Sequence, residues 1–228
     1  MDMGTIVEDK QLRQKRFIFK DRAEPGQALL RRLEQYNGKE VIVLAIPSGG
    51  LPVAAEIAKG LKAILDVVIV RKLQTPRNPE AGFGAISLAG DAILNEELVA
   101  NLELSEEQID LAKENALREG RVRERLLRGD RPSIRLAGKV VILADDGLAS
   151  GYTMLAAIKM VRAELPSRIV VAVPTGSDRS VDLVARQADE VICLNIRSMP
   201  FAVADAYRNW YDVDHEEAVR FVRYGGRP

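Results

Sequence analysis

Short apolar runs rich in β-branched residues recur along the chain and are separated by segments whose apolar residues recur at helical spacing. The runs lie at 41–46, 66–70, 140–144, 168–173 and 190–194. Apolar runs of this length are typical of strands buried on both faces of a parallel sheet, and the helices between them supply crossover connections. The pattern predicts an α/β fold in which a twisted, mainly parallel sheet is flanked by helices and joined by right-handed crossovers.

Two polar segments interrupt this alternation. Residues 1–16 are irregular and become basic toward their end, so we expect a flexible lead-in before a first helix that stops at Asn37-Gly38. Residues 74–84 contain two prolines and two glycines and show no periodicity. This composition predicts a mobile loop.

The segment after that loop predicts a hairpin and a long helix. Residues 85–88 and 92–94 are short apolar runs at hairpin spacing. Residues 105–108 form a capping box, and a helical pattern continues to about Arg128. Arginines in the C-terminal half of this helix favour a solvated or subunit-contact face, and we expect a homo-oligomer, in the simplest case a dimer.

Composition narrows the classes of function. The 228 residues include 33 basic and 33 acidic residues, so no overall charge points to nucleic acid or to a membrane surface. We find no signal-peptide pattern and no apolar run of the ~18 residues that a membrane span needs. Cys193 and His215 are single residues of their types, which argues against disulfides, His-dependent triads and multi-histidine metal sites. We expect a cytoplasmic protein.

The candidate chemistry follows the apolar run 140–144 directly. Asp145 and Asp146 stand where this strand should leave the sheet, which is the edge at which open α/β folds bind ligands. The next residues form a small-residue loop in which Gly147 and Gly151 allow backbone N–H groups to converge on an anion. A helical pattern follows, so the loop also lies at a helix N-terminus. Two carboxylates beside a phosphate cradle suit a sugar phosphate.

Three other motifs could combine acids with a glycine loop. A P-loop requires Gly-Lys-Ser/Thr at its end, and this loop has no lysine. A dinucleotide fingerprint requires G-x-G-x-x-G, whereas three residues separate Gly147 from Gly151. An acid pair that held magnesium for phosphoryl transfer to an aspartate would leave the glycine loop unexplained.

The stretch from the apolar run to Thr153 resembles the phosphoribosyl pyrophosphate (PRPP) signature of type I phosphoribosyltransferases, and the resemblance extends over about residues 40–212. It implies that Asp145 and Asp146 hold the ribose hydroxyls. The 5-phosphate would be held by the loop residues Gly147, Leu148, Ala149, Ser150, Gly151, Tyr152 and Thr153. The implied reaction is magnesium-dependent transfer of ribose 5-phosphate from PRPP to a nucleobase or another nitrogen acceptor, with release of pyrophosphate.

A second loop and a pair of cations extend the resemblance. The run 41–46 ends in Pro47-Ser48-Gly49-Gly50, and the family's corresponding loop contacts pyrophosphate, which makes Ser48, Gly49 and Gly50 candidate binding residues. Arg71 and Lys72 follow the next run and are candidates for neutralising the leaving group. From the residues alone, two other interpretations remain open. Residues 47–50 could be only a tight turn, and Arg71 and Lys72 could be only an exposed pair of cations at a strand end. Magnesium would bind mainly through PRPP, with Asp145 and Asp146 as the candidate protein ligands.

The C-terminal part gathers the aromatic residues Phe201, Tyr207, Trp210 and Tyr211. They form either a cluster that anchors the C-terminus or the family's hood over the acceptor, in which Phe201, Trp210 and Tyr211 would contact a base. We interpret residues 1–228 as a single domain. Its parts are a lead-in with a helix (1–38), a core (39–194) with a helical insertion (104–129), and a hood with the C-terminal segment (195–228).

Two other functions are compatible with the sequence. A PRPP- or nucleotide-binding regulatory protein could keep the fold without turnover. A phosphatase or kinase-like enzyme could use Asp145 as a metal ligand or nucleophile. The products formed from PRPP distinguish these functions.

Overall fold

The computed structural model describes residues 3–76 and 78–224. In chain order the strands are β1 (Thr5–Glu8), β2 (Val41–Ala45), β3 (Ile64–Val67), β4 (Val70–Thr75), β5 (Asn78–Ser87), β6 (Ala92–Leu94), β7 (Val140–Ala144), β8 (Arg168–Ser177) and β9 (Glu190–Arg197). The α-helices are α1 (Ala23–Arg32), α2 (Gly50–Leu61), α3 (Glu96–Asn101), α4 (Glu106–Arg128), α5 (Tyr152–Ala163), α6 (Asp178–Ala185) and α7 (His215–Tyr224). Short 3-10 helices lie at Glu34–Tyr36 and Val203–Ala206.

The main sheet has six strands in the order β1-β9-β8-β7-β2-β3, and every neighbouring pair is parallel. Helices cover both of its faces, so the central strands are buried along almost their whole length. Side chains alternate between the faces: Val43 packs in the cluster that contains α1, α2 and α7, and Ile42 in the cluster that contains α5 and α6. The predicted α/β fold with a mainly parallel sheet is confirmed.

The position of β7 in this sheet determines where the candidate motif lies. β7 pairs with β2 on one side and β8 on the other. Residues that follow β7 therefore emerge at the middle of the carboxyl edge, beside the loops that follow its two neighbours.

A second sheet contains β4, β5 and β6, which pair antiparallel. The predicted strand 66–70 is wrong as a single element, because β3 ends at Val67 and Val70 begins β4 in the other sheet. The expectation of an irregular loop over 74–84 is also wrong, because residues 74 and 75 end β4 and residues 78–84 belong to β5, which pairs with it. The mobility of this segment stays a prediction. The predicted hairpin over 85–88 and 92–94 is confirmed as the pairing of β5 with β6.

The N-terminal residues are more ordered than the sequence predicts. Residues 1–16 were expected to be an irregular lead-in, but Thr5–Glu8 form β1, which pairs in parallel with β9 at the edge of the main sheet. Ile6 and Val7 pack against the two opposite hydrophobic clusters, as alternation along a strand requires. Partial burial of these two side chains and pairing with the open edge of β9 explain the strand.

The long insertion helix is confirmed, with the predicted capping box at Ser105 and Gln108. The expectation of a solvated arginine face holds for Arg118, Arg121 and Arg125, which are exposed. It is wrong for two others: Arg123 turns toward residue 48, and Arg128 forms ion pairs with Asp66 and Glu124. The dimer stays a prediction.

Helix α7 was not predicted from the sequence. Asp214 caps this helix by accepting a hydrogen bond from Glu217 N at 2.8 Å. Ala218 and Val222, one turn apart, are buried against the sheet and α2. Among the described residues, no helix is long and apolar enough to cross a membrane.

Candidate functional site

The acid pair lies where β7 ends. Asp146 N donates a hydrogen bond to Asp145 Oδ1 at 2.8 Å, which fixes the two carboxylates relative to each other. Burial, followed by the charge of Asp146, raises the pKa of Asp145 well above its usual range. Burial also raises the pKa of Asp146, although a neighbouring arginine opposes this rise. The site thus holds two closely spaced carboxylates in surroundings that disfavour their charge.

The opposing arginine is Arg22, immediately before α1. Its Nε donates to Asp146 Oδ2 at 2.9 Å, and its Nη1 donates to the Tyr211 carbonyl at 2.6 Å. The side chain is 4% exposed, and its guanidinium carbon lies 4.0 Å from the centre of the Trp210 ring. Arg22 therefore connects the acid pair with the C-terminal aromatic segment. Arg22 could not be predicted as a site residue from the sequence, because 124 residues separate it from Asp146.

The glycine loop after the acid pair leads directly into α5. Leu148 is buried and holds the loop against β8, since its N–H donates to Thr175 O at 2.9 Å and its carbonyl accepts from Ser177 N at 3.2 Å. Gly151 has φ +84°, a left-handed backbone conformation that residues with a side chain rarely adopt. It immediately precedes the first residue of α5. The first N–H groups of α5 lack partners within the helix and can bind an anion. We call residues 147–153 the phosphate loop.

A cleft of about 450 Å³ lies over the acid pair. Its lining comprises both aspartates, Gly147 to Gly151, Thr153 and Met154, together with Lys72, Gly82, Gly84, Val203 and Trp210. The cleft is within the size range of small-ligand sites, and it has polar residues on one side and an aromatic ring on another. The structure therefore brings the predicted acid pair and phosphate loop into one site with Lys72 and Trp210. Tyr152 is the exception in the loop, because it packs against a hydrophobic cluster and does not line the cleft.

The loop after β2 lies against the acid pair. A Cβ added to Gly49 would overlap Asp146 Oδ2, and one added to Gly50 would lie 2.7 Å from the Ala144 carbonyl oxygen. Glycines at these positions let the loop approach the end of β7. Ser48 Oγ in the same loop accepts a hydrogen bond from Arg123 of α4. We call residues 47–50 the second glycine loop.

The structure separates Arg71 from Lys72. Both residues lie inside β4, so their side chains leave opposite faces of the strand. Lys72 lines the cleft, whereas Arg71 forms an ion pair with Glu119 of α4. The expectation that both cations follow a parallel strand and face the same ligand is therefore wrong.

The C-terminal aromatic residues have different positions. Trp210 lines the cleft, and the Tyr211 hydroxyl donates to Glu217 Oε1 at 2.9 Å. Phe201 lies beside Arg197, 5.4 Å from its guanidinium carbon, and is not among the cleft-lining residues. Tyr207 is buried and donates its hydroxyl to the Asp146 carbonyl at 2.6 Å. Trp210 is thus the member of the predicted group that can meet a ligand in the cleft.

Tyr207 also has a defined protonation state. Burial and the charge of Asp146 raise the pKa of Tyr207 well above its usual value. Its hydroxyl therefore stays protonated and can donate the hydrogen bond to the Asp146 carbonyl oxygen.

A parallel sheet that carries an acid pair, a phosphate loop and a second glycine loop at neighbouring strand ends has the architecture of a phosphoribosyltransferase. A family model described as "Phosphoribosyl transferase domain" matches residues 24–209. The chain belongs to this family.

Comparison with individual proteins supports the assignment. "Putative phosphoribosyl transferase Rv0571c" of Mycobacterium tuberculosis is 42% identical over 205 residues, which are 90% of this chain and 46% of that protein. The chain thus spans about half the length of this relative. The crystal structure of TT1426 from Thermus thermophilus has a TM-score of 0.75 and 32% identity and covers 91% of this chain and 98% of its own.

A more distant structure shares the fold alone. The AQ2163 protein of Aquifex aeolicus has a TM-score of 0.51 at 12% identity, with coverage of 82% of this chain and 77% of its own.

Proposed function

We propose that the protein transfers ribose 5-phosphate from PRPP to a nitrogen acceptor, a nucleobase or another amine, and releases pyrophosphate. The observation that carries this proposal is the juxtaposition of the acid pair and the phosphate loop in one cleft, with the second glycine loop against Asp146. PRPP is a ribose with a phosphate at one end and a pyrophosphate at the other. Its phosphate, ribose and pyrophosphate match the phosphate loop, the acid pair and the second glycine loop in that order. Family membership supports the same class of reaction.

The acid pair and the phosphate loop would bind the sugar. Asp145 and Asp146 accept hydrogen bonds from the two vicinal hydroxyls, while the backbone of the phosphate loop and the N-terminus of α5 bind the 5-phosphate. The hydroxyls of Ser150 and Thr153 can add donors. Holding both parts of the sugar fixes the anomeric carbon between the two glycine loops.

Departure of pyrophosphate breaks the bond between the anomeric carbon and oxygen, and its electron pair leaves with pyrophosphate. The acceptor nitrogen supplies the electron pair of the new carbon–nitrogen bond and gives up its proton. Positive charge develops on the sugar and negative charge on the leaving group. The acid pair stabilises the first charge, and Lys72 with the N–H groups of Ser48 and Gly49 stabilises the second. The Gly50 N–H donates to the Ile46 carbonyl at 3.1 Å, so Gly50 serves the loop by its small size.

The donor set is compatible with magnesium. Asp145 and Asp146 supply carboxylate oxygens, although Arg22 already occupies Asp146 Oδ2. The described residues contain no cluster of three or more His, Cys, Asp or Glu that could hold a metal. This suits an ion that takes most of its ligands from substrate oxygens and water. Bound there, magnesium would supply neutralising charge to the pyrophosphate.

Arg22 acts as a positioning residue in this proposal. Its ion pair opposes the rise in the pKa of Asp146 and so favours the charged carboxylate that a ribose hydroxyl needs as acceptor. Its other side stacks on Trp210, which is 41% exposed and offers a ring on which a base can stack. Arg22, the acid pair and Trp210 come from the three proposed parts of the chain, which supports the single-domain interpretation.

The test is a turnover assay with PRPP, magnesium and a panel of purines, pyrimidines and other amines. We expect pyrophosphate release that requires one acceptor class, together with the matching ribose 5-phosphate adduct. Asp145→Asn serves as the matched control and should lose most of this activity. PRPP binding without turnover for any acceptor would favour a regulatory protein, and release of inorganic phosphate would favour a phosphatase.

A further inference from the structure

The insertion helix α4 brings a cation to the second glycine loop. Arg123, in the last two turns of α4, donates a hydrogen bond from Nη2 to Ser48 Oγ. Ser48 precedes Gly49, whose Cα lies against the Asp146 carboxylate. The second glycine loop therefore contacts Arg123 through Ser48 and the acid pair through Gly49.

Close packing between α4 and β4 makes this contact possible. Gly120 is the point of approach: a Cβ there would lie 2.7 Å from Leu88 Cδ2 and 3.3 Å from Arg71 Cγ. Glu119, next to this contact, pairs with Arg71, and Arg123 follows Glu119 by one helical turn on the same side of α4. Helix α4 thus pairs Arg71 of β4 with its own Glu119, and it places its own Arg123 against the second glycine loop.

The surroundings of Arg123 lack a counter-charge. Among the described residues no carboxylate lies within ion-pair distance of Arg123, and its Nε is buried without a hydrogen-bond partner there. Burial, followed by the positive charge of Arg71, lowers the pKa of Arg123. An uncompensated guanidinium is costly to bury, and its planar donors match phosphate oxygens well. The local chemistry is that of an anion site.

We propose that Arg123 binds the pyrophosphate group of PRPP directly, together with the second glycine loop. The inference rests on the proposed function and adds a binding residue that the sheet core does not supply. In this arrangement Lys72 and Arg123 meet the leaving group, whereas Arg71 is held by Glu119. The insertion 104–129 then has a role in the reaction as well as in packing.

The test uses Arg123→Gln with Arg121→Gln as its matched control, because Arg121 lies on the same helix and is exposed. Calorimetry would measure the affinities for inorganic pyrophosphate, PRPP and ribose 5-phosphate at one magnesium concentration. Arg123→Gln should weaken pyrophosphate and PRPP binding by about 10- to 150-fold, as expected for loss of a charge-assisted hydrogen bond. Ribose 5-phosphate affinity should stay unchanged, and Arg121→Gln should match the wild type for all three ligands.

Two more variants separate direct binding from support of the loop. Arg123→Lys keeps the charge and should retain part of the pyrophosphate affinity, which also tests the proposal if the glutamine variant does not fold. Ser48→Ala removes the contact through which Arg123 could merely support the loop, and it should weaken pyrophosphate binding less than Arg123→Gln does. Equal losses in Ser48→Ala and Arg123→Gln would overturn direct binding.

The outcomes also separate this inference from the proposed function. Wild-type affinity of Arg123→Gln for pyrophosphate and PRPP would refute the role of Arg123 and leave the phosphoribosyltransferase proposal in place. Failure of the wild type to bind PRPP, pyrophosphate or ribose 5-phosphate would contradict both.

Discussion

Replacing each aspartate of the acid pair by asparagine should affect the stability of the protein differently, although both changes should impair PRPP binding. The two side chains are sequence neighbours and the substitution is the same. Among the described residues, Asp146 forms an ion pair with Arg22 at 2.9 Å, whereas Asp145 forms no ion pair. The difference in melting temperature between Asp145→Asn and Asp146→Asn therefore reports on that ion pair.

Asp145→Asn should raise the melting temperature at neutral pH. Burial raises the pKa of Asp145, so its ionised form destabilises the folded state relative to the unfolded chain. Asparagine removes that charge and can still accept the hydrogen bond from Asp146 N. Because a raised folded-state pKa means that wild-type stability recovers as protons bind, the advantage of the variant should shrink as pH falls toward the ordinary value of 3.8.

Asp146→Asn loses the interaction with Arg22 as well. Hydrogen bonds to charged groups contribute about 1.5 to 3 kcal/mol, and the Arg22 side chain is only 4% exposed, so solvent cannot replace the lost charge. For a chain of this size, 1 kcal/mol corresponds to about 2 to 4 °C. We therefore expect Asp146→Asn to melt about 3 to 12 °C below Asp145→Asn.

Differential scanning calorimetry of the wild type and both variants at neutral pH provides the comparison. Adding Arg22→Leu to each variant is the control, because the difference between the two aspartates should then disappear. Equal melting temperatures for the single variants, or an Asp145→Asn protein less stable than the wild type, would refute the reasoning.

Other variants test the remaining parts of the cleft. Gly151→Val should abolish ribose 5-phosphate binding, since φ at Gly151 is +84°. Ser150→Ala removes one hydroxyl and should lower the affinity for ribose 5-phosphate by less than about tenfold. Equal losses of affinity in calorimetry would contradict the assignment of this loop. Gly49→Ala should weaken PRPP binding because its Cβ would overlap Asp146 Oδ2, and unchanged affinity would argue against the placement of that loop. An acceptor base should change the fluorescence of Trp210, the only tryptophan, and no response to a turned-over acceptor would place the base elsewhere.

The central part of the site could be predicted because its signals are local. The apolar run of β7, the two carboxylates after it and the glycines of the phosphate loop are contiguous, and each is typical of the structure that it forms. The second glycine loop could be found in the same way. A strand followed by a glycine turn and a helix is a pattern of neighbouring residues, and neighbours in sequence stay neighbours in the fold.

The errors arise where tertiary contacts decide the structure. The chain passes from β3 in the main sheet to β4 in the second sheet within residues 66–70. Val68 and Ile69 at this junction are buried, so no polar residue marks where one strand ends and the next begins. The prolines and glycines of 74–84 are typical of a loop, but the pairing of β4 with β5 accommodates them through register shifts. Arg22 and Arg123 act across 124 and 75 residues, distances over which a single sequence carries no pairing signal.

The central claim is that the acid pair and the phosphate loop bind the ribose 5-phosphate part of PRPP. Titration calorimetry with PRPP and magnesium tests it most directly, using the wild type, Asp145→Asn and Asp146→Asn. We predict saturable binding to the wild type and affinity about 10- to 150-fold lower in each variant, as expected for loss of a charge-assisted hydrogen bond. No PRPP binding by the wild type, or equal affinity in all three proteins, would contradict it.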